Sequence, residues 1–508
     1  MIRSRLRLVL AAGTVLAACT AGGVGEVADG AEDLTAPTPT IAPTIIPEPS
    51  PAFTPSAPPV PTTTPEPSTT EPEATATPDA TPRPSATPAP AGPCGVGPLA
   101  LPDPERPVYE GSVNIDPLTR SVVGSLDIGF TPDLPIDELV LRLWPNGPRP
   151  STGGVELTVR NLVVPVPATT RLDHPTLLRI PLDEPWPAGR RIGFSIDFEL
   201  VVPTELRSRL SGRDDYMRLG TILPLLPWEP GVGWATDPAT SLFAESVMSP
   251  TADYAIGITV PDGYDVLASG SPDDEGVWRV DAARDFAISV GRFRTLTATA
   301  FAPEPVQVTV GVHETMADDP RAYLDKVVDS LEQFSRRFGQ YPWPSLTFAL
   351  TPGLRGGIEF PTHIMQGADT IGRTTSHEVG HMFFYSLVGN NQGREPWLDE
   401  GITSYAEFTY EGTPANAWAI PADGIGQATQ PMTFWEARAG SYYSSVYSQT
   451  GFALQLVGDR DAVDCALARY VADNAHRIAR AEDFIAAFEP AFPDIVDRLA
   501  VLGVDLRR

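Results

Sequence analysis

The sequence predicts a multi-domain protein: an N-terminal antiparallel β-sandwich or saddle domain followed by an α+β domain that is mostly helical. Three observations carry this. Proline is concentrated, and much of the total of 56 in 508 residues lies between Ala36 and Pro93. From about residue 98 to 302 apolar residues recur with the two-residue period of strands, broken by Pro, Gly and Asp turns. From about residue 303 the period lengthens to that of amphipathic helices.

In chain order, Arg3, Arg5 and Arg7 precede an apolar run from Leu8 to Ala18 that is too short to span a bilayer as a helix. A positive start and a short apolar run read as a secretory signal over residues 1–18. Leu16-Ala17-Ala18-Cys19 resembles the bacterial lipobox, which implies lipidation of Cys19; a plain signal peptide cleaved at a small-residue site is the alternative. Residues 19–97 then form a Pro/Thr-rich stalk. Alternating Pro and Thr with few apolar residues cannot build a core and favours an extended, solvated chain. This places the folded part outside the cytoplasmic membrane, on its outer face, with a lipid anchor as its only membrane contact.

Two cysteines remain, Cys94 and Cys465. An oxidising compartment permits them to pair, and two separate buried thiols fit the sequence equally well. The formal net charge of −28 argues against nucleic acid as a partner, because phosphate neutralisation needs basic patches. Lys326 is the only lysine.

Within residues 98–302, "SLDIGF", "ELVLRLW", "VELTV", "RIGFSIDFELVV", "YAIGITV" and "FAISVGRF" are strand-like. Residues 303–508 open with a helix in which Leu324, Val327, Val328, Leu331, Phe334 and Phe338 share a side, closed by Gly339. "SLTFAL" and "GGIEF" read as short strands. Helices follow at "TTSHEVGHMFFYSLVG", ended by Gly389, then at "PWLDEGITSYAEF" and beyond.

The chemistry concentrates between residues 377 and 400. His377 and His381 lie one helical turn apart, so both rings reach a single ion, and Glu378 points to a water beside it. A catalytic zinc takes three protein ligands, and Glu400, with eighteen residues between it and His381, returns a carboxylate on the next helix. Satisfied core histidines are the other reading. With only six histidines in the chain, the added carboxylate favours the metal.

"HEVGHMFFYSLVGNNQGREPWLDEGITSY" resembles the zinc signature of the gluzincin metallopeptidases of the aminopeptidase N family, and "GGIEFP" resembles that family's G-x-M-E-N motif. The resemblance runs from about Tyr109 onward. It implies a thermolysin-like catalytic domain with one Zn2+ on His377, His381 and Glu400, and Glu378 as general base. It also implies that Glu359 binds the free α-ammonium of peptide substrates, with Gly356 and Gly357 admitting the substrate backbone. The family's oxyanion-stabilising tyrosine stands three residues before a glycine, whereas here Tyr447 stands four before Gly451; Tyr447 is the first choice and Tyr443 the second. Little chain follows, so the large C-terminal helical domain of longer relatives is expected to be absent. The expected function is aminopeptidase action on extracellular peptides. A zinc endopeptidase or other hydrolase without N-terminal selectivity, and an inactive peptide-binding surface module, are the alternatives.

Overall fold

The computed structural model describes residues 93–507 apart from 203, 205–208, 214, 243–247, 369–372 and 416–425. The signal, Cys19 and most of the stalk lie outside the described residues. Those described belong to one compact unit.

The first half is built on a seven-stranded sheet in the order Ser271–Pro272, Val277–Ala283, Ala252–Thr259, Val108–Asp116, Ser121–Phe130, Ile192–Val201, Glu156–Val163. Its strands alternate as the sequence suggests: in Ser121–Phe130, Val122, Leu126, Ile128 and Phe130 are buried while Val123, Ser125 and Asp127 face water. All neighbours are antiparallel except Val108–Asp116 with Ala252–Thr259, which run parallel and close the sheet across about 140 residues of sequence. Three- and four-stranded antiparallel sheets complete this half.

The expected boundary at 302/303 falls inside a hairpin. Phe293–Phe301 (β1) and Pro305–His313 (β2) pair antiparallel, and both belong to the five-stranded sheet of the second half. That sheet continues through Ser345–Leu350 (β3), Gly357–Phe360 (β4) and His363–Gln366 (β5) in the order β1-β2-β3-β5-β4. β2, β3 and β5 are parallel, whereas β4 runs antiparallel to β5 at the sheet's edge.

Helix Pro320–Phe338 (α1) starts where Asp319 accepts from the backbone N–H of Arg321 at 2.9 Å and Pro320 takes the first helical position. It ends at Gly339, whose φ of 125° disfavours a side chain. Its buried stripe of Leu324, Val327, Leu331, Phe334 and Phe338 is the one the periodicity marked. Arg373–Gly380 (α2), Glu400–Tyr410 (α3), a π-helical segment Tyr443–Gln449 continuing into Thr450–Leu456 (α4), and Arg460–Asn474 (α5) follow. Apolar side chains of both halves form one continuous core. Cys94 and Cys465 are disulfide-bonded, tying the first described residues to α5, where Val96 packs on Ala468 and Ala472. Among the described residues no helix is long and apolar enough to cross a membrane.

Candidate metal and peptide site

α2 is shorter than the sequence suggested. It ends at Gly380, and residues 381 to 388 turn tightly instead of continuing to Gly389. The cause lies far away in sequence. The buried guanidinium of Arg284 donates to the carbonyls of Tyr385 at 3.0 Å and Leu387 at 3.2 Å, and also to those of Ser249 and Arg477. Carbonyls that a helix would have used internally are thus satisfied by a side chain. Gly389 lets this happen, since a Cβ there would lie 2.3 Å from the guanidinium carbon. It does not cap the helix but begins a short strand, Gly389–Asn390, paired with Ile478–Ala479.

His377 and His381 nonetheless keep one-turn spacing: the His381 N–H donates to the His377 carbonyl at 3.3 Å. Their Nε2 atoms stand 3.1 Å apart, and each is 3.2 Å from Glu400 Oε2, which α3 brings in from the other side. Pro396 opens the 3-10 turn Pro396–Leu398 that leads the chain into α3. All three side chains are buried, with their nitrogen and oxygen atoms within 4.8 Å of one another.

Each imidazole is held from behind. His377 Nδ1 is 3.1 Å from Glu407 Oε2. His381 Nδ1 lies 2.7 Å from Asp399 Oδ1, a contact outside hydrogen-bond alignment, and 3.2 Å from both Thr403 Oγ1 and the Phe384 carbonyl. Gln392 fixes the other Asp399 oxygen at 2.7 Å. Burial favours a neutral His377 ring, but its hydrogen bonds to Glu400 and Glu407 outweigh burial and raise its pKa to about 9. Burial likewise opposes ionisation of Glu400, and the two imidazoles overcome it, holding its carboxyl below the usual range. Facing nitrogens at 3.1 Å and an ionised carboxylate call for a shared cation. Two imidazoles and one carboxylate are the donor set of a catalytic zinc site, so the residues fit that ion.

Two carboxylates border this cluster, each with one buried oxygen that no protein group hydrogen-bonds. Glu378 Oε2 is buried and makes no hydrogen bond; burial first, then the charge of Glu359, pushes its pKa up to about 8. Gly357 supplies the room, because a Cβ there would lie 2.4 Å from Glu378 Cγ. Glu359, on edge strand β4, also has an unpartnered buried oxygen, Oε1. Its own carboxyl is raised to about 7 by burial and by Glu400 and Asp399, against His381 and Arg209. Gly356 adopts φ +77° and its carbonyl accepts from Gly367 at 2.9 Å, which fixes the turn before β4.

The Tyr447 hydroxyl donates to Glu400 Oε1, and its ring stacks on His377 with centroids 5.6 Å apart. Tyr443 packs on the Tyr447 ring at 4.8 Å. The additional residue between Tyr447 and Gly451 falls at the end of the π-helical segment Tyr443–Gln449. A π turn is the helical device for accommodating one inserted residue, and Tyr447 reaches the cluster from within it.

No family model matches the chain. Human aminopeptidase B is 24% identical over 281 residues, 48% of this chain and 42% of that protein. The mouse aminopeptidase B is 23% identical over 291 residues, 50% and 43% of the two chains. These matches span less than half the length of the curated relatives. Among solved structures, the M1 zinc metallopeptidase from Deinococcus radiodurans aligns with a TM-score of 0.55 at 16% identity, covering 80% of this chain and 95% of that one. A mutant of that enzyme bound to a Tyr-Ser-Ala substrate aligns with a TM-score of 0.56 at 16% identity, covering 78% and 93%. This chain has the two-domain M1 zinc metallopeptidase fold. In this M1 fold the cluster His377, His381 and Glu400 lies where α2 and α3 meet, with the carboxylate-bearing edge strand β4 against α2.

The structure brings together His377, His381, Glu400, Glu378, Glu359 and Tyr447, the residues the sequence singled out, whereas the sequence left Asp399 and Glu395 unassigned as supports. Asp399 is one; Glu395 instead accepts from the Ala481 N–H at the start of a later helix. Glu407 was missed, although it stands seven residues after Glu400, two turns along the same helix face.

Proposed function

We propose that this protein is a zinc-dependent aminopeptidase acting on extracellular peptides. The observation that supports it best is the pairing of a convergent His377, His381 and Glu400 donor set with two buried carboxyl oxygens, on Glu378 and Glu359, that no protein group satisfies. A zinc ion on those donors supplies a polarised carbonyl and an acidified water. Glu378 Oε2 takes a proton from the attacking water and delivers it to the departing amine, a role suited to a carboxyl raised by burial. Glu359 receives the substrate's α-ammonium. Edge strand β4 offers main-chain groups to an extended peptide. The Tyr447 hydroxyl, beside Glu400, donates to the developing oxyanion. The Deinococcus neighbour bound to Tyr-Ser-Ala supports peptides as the substrate class.

The test is mass spectrometry of an unblocked peptide and its N-acetylated twin after incubation with the protein, with and without a zinc chelator. Chelator-sensitive release of single N-terminal residues from the free peptide alone is expected. Equal internal cleavage of both peptides replaces this reading with an endopeptidase, and no cleavage across a peptide panel replaces it with a binding module. We further propose attachment to the outer face of the cell membrane through lipid on Cys19. Substitution of Cys19 by Ser is expected to move the protein from the detergent phase to the aqueous phase.

A further inference from the structure

Behind the donor cluster, the flank where α2 meets α3 carries a ladder of charge whose outer members the proposed chemistry does not use. Arg373, His377 and His381 recur every four residues along α2 and the first residue after it, and Glu400, Thr403, Glu407 and Glu411 recur along α3 and its cap, so each set shares a face. The rungs connect in order. Arg373 Nε donates to Glu407 Oε1 at 2.7 Å, Glu407 Oε2 lies 3.1 Å from His377 Nδ1, and His381 Nδ1 meets Thr403 Oγ1. Beside them, Ser376 Oγ and the Nζ of Lys326 each approach Glu411 Oε1 at 2.6 Å. Lys326 also lies over the Tyr410 ring at 4.4 Å.

Glu407 therefore divides its two oxygens between two tasks: one takes a guanidinium and the other faces a ring that presents its far nitrogen to the donor cluster. A guanidinium bonds in a fixed plane, so holding Oε1 fixes the carboxylate plane and with it the place of Oε2. Two further facts separate this arrangement from ordinary helix stabilisation. Arg373, the first described residue of α2, pairs across to α3 and not along its own helix. Its side chain is 42% exposed although Glu407 is buried, so the guanidinium reaches in from the solvent side to satisfy an oxygen that burial would otherwise leave unpaired. What the contact provides is orientation of the buried Glu407.

We propose that Arg373 is a positioning residue for the metal-binding imidazole of His377, acting through Glu407. The inference rests on the reading of His377, His381 and Glu400 as zinc ligands. Outer groups that orient a ligating histidine typically change metal affinity by about 10–100-fold when removed. Arg373 acts one contact further out, so Arg373→Met belongs near the lower end of that range and Glu407→Gln at or above it.

The experiment measures zinc affinity by competition with a chromogenic chelator for the full chain and for Arg373→Met, Arg373→Lys, Glu407→Gln and His377→Ala. The zinc dissociation constant is expected to rise about ten-fold in Arg373→Met, with kcat falling more than KM changes, and to recover in part in Arg373→Lys, which keeps the charge but not the fork. The zinc-stripped Arg373→Met protein is expected to unfold at a somewhat lower midpoint, because Glu407 Oε1 loses its partner, and the loss of zinc affinity to exceed what that shift accounts for. Should Arg373→Met fail to fold, Arg373→Gln carries the same comparison. Wild-type zinc affinity in the Arg373 variants overturns the inference. So does a weakened affinity that tracks a lowered zinc-free midpoint and ignores whether Lys or Met is present, since that marks a structural role. A full chain whose bound zinc is unaffected by His377→Ala overturns the ligand assignment itself, and the inference with it.

Discussion

The junction of α2 with α3 and the junction of α2 with β4 are both buried and both crowded with acidic side chains, yet they are built on opposite rules. Between α2 and α3, Glu400, Asp399, Glu407 and Glu411 each lie against a histidine, arginine or lysine. Between α2 and β4, Glu378 Oε2 and Glu359 Oε1 are buried without a hydrogen-bond partner. A buried carboxylate without a partner costs folding free energy, so its retention points to a partner that arrives with substrate. The paired acids shape the site, and the unpaired ones are free to act. That distinction is what mutation can break or sharpen.

The largest effect is expected at Glu378. Glu378→Gln keeps the shape and removes the base, and turnover should fall by about 10²–10⁴-fold. Zinc content, measured by atomic emission, should be unchanged. A variant that loses zinc would place Glu378 with the paired, site-building acids and break the comparison. The next effect is at Glu359. Glu359→Gln should lower kcat/KM for a free peptide by about 30–10³-fold, the scale of losing one partner from a buried charge pair, and leave any residual cleavage of the N-acetylated twin untouched. Equal losses on both peptides would remove Glu359 from recognition of the amine. Tyr447→Phe comes third. Its hydroxyl is bonded to Glu400, the proposed mechanism has it donate to the oxyanion, and removing one such donor should lower kcat by about 10²–10³-fold. Steady-state kinetics with zinc content in parallel checks this: a fall in zinc with little change in kcat per bound zinc would make Tyr447 a support for Glu400 instead.

What could be read in advance follows the range of the forces involved. The positions of His377, Glu378 and His381 depend on one helical turn, and a short pattern in the sequence encodes that turn. Glu400 needed only a helix return. The early end of α2 depends on Arg284, 101 residues before Tyr385, and no local pattern announces a guanidinium arriving from another sheet. The same holds for the parallel pairing of Val108–Asp116 with Ala252–Thr259 and for the joining of Cys94 to Cys465 across 371 residues. The place of Tyr447 beside Glu400 was half legible: the sequence marked the tyrosines before Gly451, and the π-helical segment shows how Tyr447, four residues before that glycine, reaches the cluster. Glu407 was legible in principle, because an acid seven residues after a ligand must share its helix face.

The smallest expected effect tests the comparison on a third buried region, the core of the five-stranded sheet. His363 on β5 is fully buried, more so than His377, and its ring nitrogens face hydroxyls, Thr347 Oγ1 at 2.7 Å and Ser289 Oγ at 2.9 Å, with no carboxylate. Burial then acts unopposed and pushes its pKa down from 6.5 to about 3, while carboxylates raise His377 to about 9. For a base depressed in the folded state, the unfolded chain binds the proton first as pH falls. Stability is therefore full above about pH 6.5 and is lost as pH falls through the window from 6.5 to about 3. One proton taken up only by the unfolded chain costs about 1 kcal/mol per pH unit. His363→Gln keeps a donor and an acceptor for the two hydroxyls and removes the titration. Denaturant unfolding of both proteins from pH 7 to pH 4 should show the wild type losing stability faster than the variant, by about that slope, with the shared titration of other groups cancelling in the difference. Parallel losses in the two proteins would mean that His363 accepts its proton in the folded sheet, and that hydroxyls alone can do for a buried imidazole what the carboxylates do for His377.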